Sequence, residues 1–202
     1  MKNVKISKIL SLVLAASFAF LVFASTAKAA TPLDAQRRPL TKEEIATIAK
    51  AFNGEDYAKM YPDVVKAFGT NDPMVMYNHF INCGIWENRQ PNAQFEVNAY
   101  ATKNVDLHKA YGPNVIAYYL HYANHPEERA GRGIATLGDA ASRHAAVYYA
   151  YDFVVGQEQP RAGAMKLQTE NYRPTDSMSD NEIISKLNDE GLLDAYLKSL
   201  GK

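Results

Sequence analysis

Past residue 40 the apolar positions of this chain fall at helical spacing in short runs. Thr41-Lys42-Glu43-Glu44 reads as a capping box, in which Thr41 accepts from the amide three residues on and Glu44 reaches back. Ile45, Ile48, Ala49 and Phe52 follow three or four apart, which predicts a helix over 42–51. Three short helical pieces come next, over 55–61, 62–68 and about 73–83. Pro62 and Pro73 suit first helical positions, and Gly69 suits a left-handed helix terminus. Three more pieces follow over 98–103, 105–111 and 114–124, with Gly112 in the place of Gly69. Asp72 and Asn114 read as N-caps of the longest pieces.

These two triplets repeat one another in wording. Phe52, Tyr57, Asp63, Val64, Ala67, Phe68 and Gly69 recur in order as Phe95, Tyr100, Asp106, Leu107, Ala110, Tyr111 and Gly112, about 43 residues later. Thr70 is one residue extra, after which Met76-Tyr77 and His79-Phe80 match Tyr118-Tyr119 and His121-Tyr122. The match then loosens, with Gly84-Ile85-Trp86-Glu87-Asn88-Arg89 against His125-Pro126-Glu127-Glu128-Arg129, and Arg132 shortly after. A fixed period of this size marks one supersecondary unit stacked on its copy. The expected fold is all-α: two tandem units of about 43 residues, each of three short helices, with an N-terminal helix and a C-terminal helical cap. The divisions are 1–29 signal peptide, 30–51 lead-in and N-terminal helix, 52–89 first unit, 90–132 second unit and 133–202 helical extension.

The recurring residues read as structural. Asp63 and Asp106 open helices, where a carboxylate meets the positive end of the dipole. The His79 and His121 rings are expected to hydrogen-bond between stacked units, while Tyr57, Tyr100, Gly69 and Gly112 hold the unit itself. Beyond Arg132 the period is lost. Residues 139–155 are Ala-rich and then aromatic and β-branched, and read as helix over strand. A polar crossing segment over 157–174 follows. Ser179-Asp180-Asn181-Glu182 is a second capping box, opening a terminal amphipathic part suited to covering the end of a repeat stack.

The start of the chain changes the charge balance. Lys2, Lys5 and Lys8, an apolar run over 9–24 and Ala27-Lys28-Ala29 form a secretory signal peptide, with cleavage expected after Ala29. Cleavage removes Lys2, Lys5, Lys8 and Lys28, leaving 18 basic against 22 acidic residues and a net charge of −4. Without a basic cluster, nucleic acid is a poor partner, and no membrane segment is expected after cleavage. The lone Cys83 cannot form an internal disulfide. It reads as a small buried residue near a helix end rather than a nucleophile served by His79, four residues earlier.

The wording Asp56-Tyr57, Tyr61-Pro62-Asp63-Val64, Ala67-Phe68-Gly69, Asn78-His79-Phe80 and Gly84-Ile85-Trp86-Glu87-Asn88-Arg89 resembles a tandem repeat of secreted bacterial cell-surface proteins. The resemblance covers about 80 residues and fits best over 52–89; Val105 and His125-Pro126 depart from the pattern in the second unit. It implies an accessory module beside wall-binding or wall-degrading domains, and it brings no catalytic residues. The leading expectation is therefore a secreted, non-enzymatic module that binds a wall polymer or a surface protein, without cofactor or metal. Trp86, Tyr118, Tyr119 and Tyr122 are the candidate ligand-binding residues, Trp86 being expected at the surface of a turn. The alternative is a wall-active hydrolase drawing a carboxylate pair from Glu87, Glu127 and Glu128, or an accessory subunit of one. Self-assembly through unpaired repeat ends is a third possibility.

Overall fold

The computed structural model describes residues 32–167. The signal segment, the capping box at Ser179 and the terminal cap lie outside the described residues. The described chain is all-α, with helices and short helical turns and no strand among the described residues. Two isolated bridges, Asn92 to Phe95 and Tyr148 to Lys166, are its only β pairings there.

Helix α1 (Lys42–Ile48) starts as the capping box requires, with the Thr41 side chain accepting from Glu44 N and Glu44 returning to Thr41 N. A tight turn over Ala49–Ala51 ends it. Helices α2 (Gly54–Met60), α3 (Pro62–Phe68) and α4 (Pro73–His79) follow. Asn53 caps α2 and Asp72 caps α4 through side-chain oxygens, while Pro62 and Pro73 occupy first positions. Helix α4 widens into a π turn over Phe80–Gly84, where Ile85 N donates to Phe80 O at 2.9 Å. Gly84 is needed there: a Cβ would stand 2.5 Å from the Tyr57 hydroxyl.

Helices α5 (Val97–Lys103), α6 (Val105–Tyr111) and α7 (Val115–Asn124) come next, then a 3-10 turn over Pro126–Gly131. Asn114 does not cap α7 through its side chain, and Gly112 does not end α6 as Gly69 ends α3. Gly69 is left-handed at φ 66° and ψ 17°, whereas Gly112 sits at φ 53° and ψ −126°. Asn114 N donates to Tyr111 O at 3.1 Å, closing a four-residue turn with Gly112 at its second position. That is type II′ geometry, which requires Gly there. With one residue fewer than the first connection, the second has no room for a left-handed terminus followed by a capping side chain.

The core is continuous. Leu33, Ile48, Tyr57, Phe80, Phe95, Tyr100, Tyr119 and Phe153 belong to one buried cluster that runs from the lead-in to the last turn. Phe80 meets Tyr119 edge-on at 5.8 Å, and Tyr119 meets Phe95 at 5.4 Å, so rings link α4 to α7. Helix α1 packs on α7, and the Tyr77 hydroxyl donates to Ile45 O.

The expectation of helix over 139–155 is corrected. Helix α8 (Leu137–Ser142), with a Thr136–Asp139 capping box, is short, and among the described residues after it only the turn Ala150–Asp152 is helical. The β-branched and aromatic residues between lie extended across α5 because that helix offers polar partners. Tyr148 N donates to Thr102 Oγ1 at 2.9 Å, and Ala150 N donates to Asn98 Oδ1 at 2.8 Å. A segment bonded to another element's side chains need not supply its own ladder.

Beneath this crossing lies Glu96, 2 % exposed, which caps α5 by accepting from Ala99 N at 2.7 Å and from Asn98 Nδ2 at 2.7 Å. Burial pushes its carboxyl up to about 6, against the lowering effect of the Ala99 and Asn98 donors. The folded state then holds the proton more tightly than the unfolded chain, so stability falls as pH rises from about 4.5 to about 6, by about 2 kcal/mol. His79 acts oppositely, because burial lowers its affinity for a proton and stability falls as pH drops below its ordinary 6.5. Chemical denaturation of wild type and Glu96→Gln at pH 4 and pH 7 isolates the first effect, since His79 is common to both. The stability gap is expected to be larger at pH 4 by about 2 kcal/mol. A gap independent of pH would show that Glu96 ionises as it does in an unfolded chain.

Candidate functional site

The four aromatic residues expected to meet a ligand are buried. Trp86 is 5 % exposed, and Tyr118, Tyr119 and Tyr122 are 4 % or less. The expectation of an exposed Trp86 is corrected. Large rings fill the space between the packed helices, and the Tyr118 and Tyr119 hydroxyls reach backbone carbonyls. Tyr118 donates to Gly112 O at 2.6 Å and Tyr119 to Arg89 O at 3.3 Å. Tyr122 packs on Phe95 with ring centres 4.2 Å apart, and the Arg129 guanidinium lies over the Tyr122 ring, 4.1 Å from its centre.

What reaches the surface is a polar cluster that occurs twice. The Tyr57 hydroxyl lies 2.9 Å from His79 Nδ1, and the Tyr100 hydroxyl lies 3.0 Å from His121 Nδ1. Each histidine thus bonds within its own helical triplet, not between triplets as the sequence reading expected. The reason is register: α2 packs on α4 as α5 packs on α7, which aims each tyrosine along its own partner helix. Asp63 takes both terminal nitrogens of Arg89 at 3.0 and 2.8 Å, and Asp106 takes those of Arg132 at 3.2 and 3.1 Å. The helix-opening position of these aspartates stands, and each also has an arginine partner the sequence reading did not assign. Arg132, not Arg129, is therefore the counterpart of Arg89.

A glutamate completes each cluster: Glu87 at 2.6 Å from Arg89 Nε and Glu128 at 2.5 Å from Arg132 Nη2. Tyr61 and Asn104, at the joints between paired helices, also meet these arginines, Tyr61 by its ring at 4.8 Å and Asn104 by Oδ1 at 2.9 Å. Both arginines are sunk, with side chains 19 % and 16 % exposed, whereas Asp63 and Asp106 stand 62 % and 64 % exposed. Hydrogen bonds from Arg89 hold the Asp63 carboxyl below the usual range. At Asp106 burial raises the carboxyl, and the bonds and charge of Arg132 outweigh it.

The second cluster carries an addition. His125 caps α7, and its ring stacks on His121 with centres 4.5 Å apart. Glu128 lies 3.7 Å from His121 Nε2 through one oxygen and 3.5 Å from His125 Nδ1 through the other. Glu127 approaches His125 Nδ1 at 3.2 Å. Burial, then the charges of Arg132 and His125, lower the His121 pKa. At the 42-residue offset that relates His79 to His121, Cys83 stands opposite His125; it is partly buried in the π turn, and its thiol meets Arg37 Nη2 at 3.8 Å. Burial raises that thiol's pKa, and the Nδ1 atom of His79 is engaged by Tyr57, so the pair is not arranged as nucleophile and base. Comparison with protein-family models, curated proteins and solved structures finds no match to this chain.

Proposed function

We propose that this chain is an exported, duplicated helical module that works by binding a wall polymer or a surface protein. The observation that supports the reading most is the twice-built cluster, with a sunken arginine under exposed carboxylates at Asp63 and Glu87, then at Asp106 and Glu128. Two like clusters on one chain suit a ligand that itself repeats, because a second contact made after the first is effectively intramolecular. The glutamates considered for hydrolysis are tied up: Glu87 and Glu128 in these ion pairs and Glu127 against His125. Surface ion pairs contribute only about 0–1 kcal/mol to stability, which leaves these groups free to be altered.

The test is co-sedimentation of the purified protein with peptidoglycan and wall polysaccharide, and capture of surface proteins, for wild type and for Asp63→Asn with Asp106→Asn. Retention by one of these materials is expected, falling by roughly tenfold or more in the double variant, an effect of about 1.4 kcal/mol. No retention by any of them would remove the binding reading. A cleared band on wall substrate in a gel would replace it with a hydrolase.

A further inference from the structure

We propose that His121, His125 and Glu128 form a binding site for one divalent transition-metal ion of the zinc class. Among the described residues these three offer one ligand atom each, all within 4.8 Å of one another. Ligand atoms around a tetrahedral zinc, with bonds near 2.0–2.2 Å, stand roughly 3.3 Å apart. Glu128 Oε1 is already 3.5 Å from His125 Nδ1, and His121 Nε2 lies within 4.8 Å of both, so a contraction of about 1 Å or less at each ligand atom completes the set.

The spacing is suited to the task. His121 and His125 are four apart at the end of α7, which places them on one face, and Glu128 follows in the 3-10 turn Pro126–Gly131. Two imidazoles and a carboxylate favour zinc and its neighbours over magnesium or calcium, which take oxygen ligands. Three protein ligands leave a fourth position open to water or an outside group.

Neighbouring groups orient the ligands. In the metal-binding tautomer His121 Nδ1–H donates to the Tyr100 hydroxyl oxygen 3.0 Å away, which leaves the lone pair on Nε2 for the ion. Arg132 holds Glu128 Oε2 through Nε at 3.0 Å and Nη2 at 2.5 Å, leaving Oε1 for the ion. His121 is fixed, with an 8 % exposed side chain, while His125 and Glu128 are open enough to adjust. In the first unit the guanidinium of Arg37 stands at Cys83, where it would oppose a cation.

The inference is independent of what the module binds, and its test uses the untagged protein stripped with a chelator. Calorimetric titration with zinc chloride should give one ion per chain with a Kd of about 10 µM or below. His125→Ala, at a partly exposed position, should weaken binding at least tenfold with unchanged circular dichroism, and Glu128→Gln similarly. Cobalt should bind with visible absorption that is lost in His125→Ala. Cys83→Ser should leave uptake unchanged. No zinc uptake, uptake indifferent to His125→Ala, or uptake lost in Cys83→Ser would each overturn the site.

Discussion

Replacing Phe80 by Ala should lower stability by about 3–5 kcal/mol, the usual cost of emptying a buried aromatic site. Phe80 is fully buried at the start of the π turn and touches the rings of Phe52, Tyr57 and Tyr119. Its loss removes the ring that joins the first triplet to α7. The three remaining neighbours are themselves held by hydroxyl bonds or helix packing, so the cavity cannot collapse cheaply. Because one cluster runs through both triplets, the loss should be felt by both at once. Urea unfolding followed by Trp86 fluorescence, a reporter of the first triplet, and by far-ultraviolet circular dichroism should shift together. Separate midpoints for the two signals in the variant would mean that the triplets unfold as independent bodies.

Gly112→Ala should cost several kcal/mol, whereas Gly69→Ala, at the matching position, should cost about 1–2. At Gly69 a side chain meets nothing within 4 Å, so only the left-handed backbone is penalised. At Gly112 the II′ conformation carries its own strain of about 1–3 kcal/mol in any residue with a Cβ. A Cβ there would also stand 2.7 Å from the backbone nitrogen of Val155. Relief requires moving the 154–156 segment, which is bonded to α6 by Gly156 N donating to Lys109 O at 2.8 Å. Thermal unfolding of the two variants should separate them, and limited proteolysis of Gly112→Ala should cut the 154–163 region sooner than in wild type. Equal melting temperatures would show that the extension does not press on Gly112.

The contrast between these glycines illustrates how far the recurring sequence pattern could be read. Helix starts at Thr41, Pro62 and Pro73 were legible because capping groups act within three or four residues of the amides they satisfy. Tyr57 and Tyr100 were recognisable as counterparts, and so were His79 and His121, but not that each tyrosine bonds the histidine of its own triplet. The arginine partners of Asp63 and Asp106 lie 26 residues away across a turn of different length in each helical triplet, and no local pattern marks them. The same is true of Trp86, whose place after a glycine resembled an exposed turn until the π turn folded it inward.

By itself the sequence determined the helical class, the helix starts at Thr41, Pro62 and Pro73 and the order in which equivalent residues recur, since spacing and capping are properties of neighbours along the chain. The tertiary structure alone decided that the aromatic residues are core, that the 145–149 stretch is not helical, and that His121, His125 and Glu128 converge. Burial depends on which surfaces of distant helices meet, and the approach of His121, His125 and Glu128 depends on how the chain turns as it leaves α7.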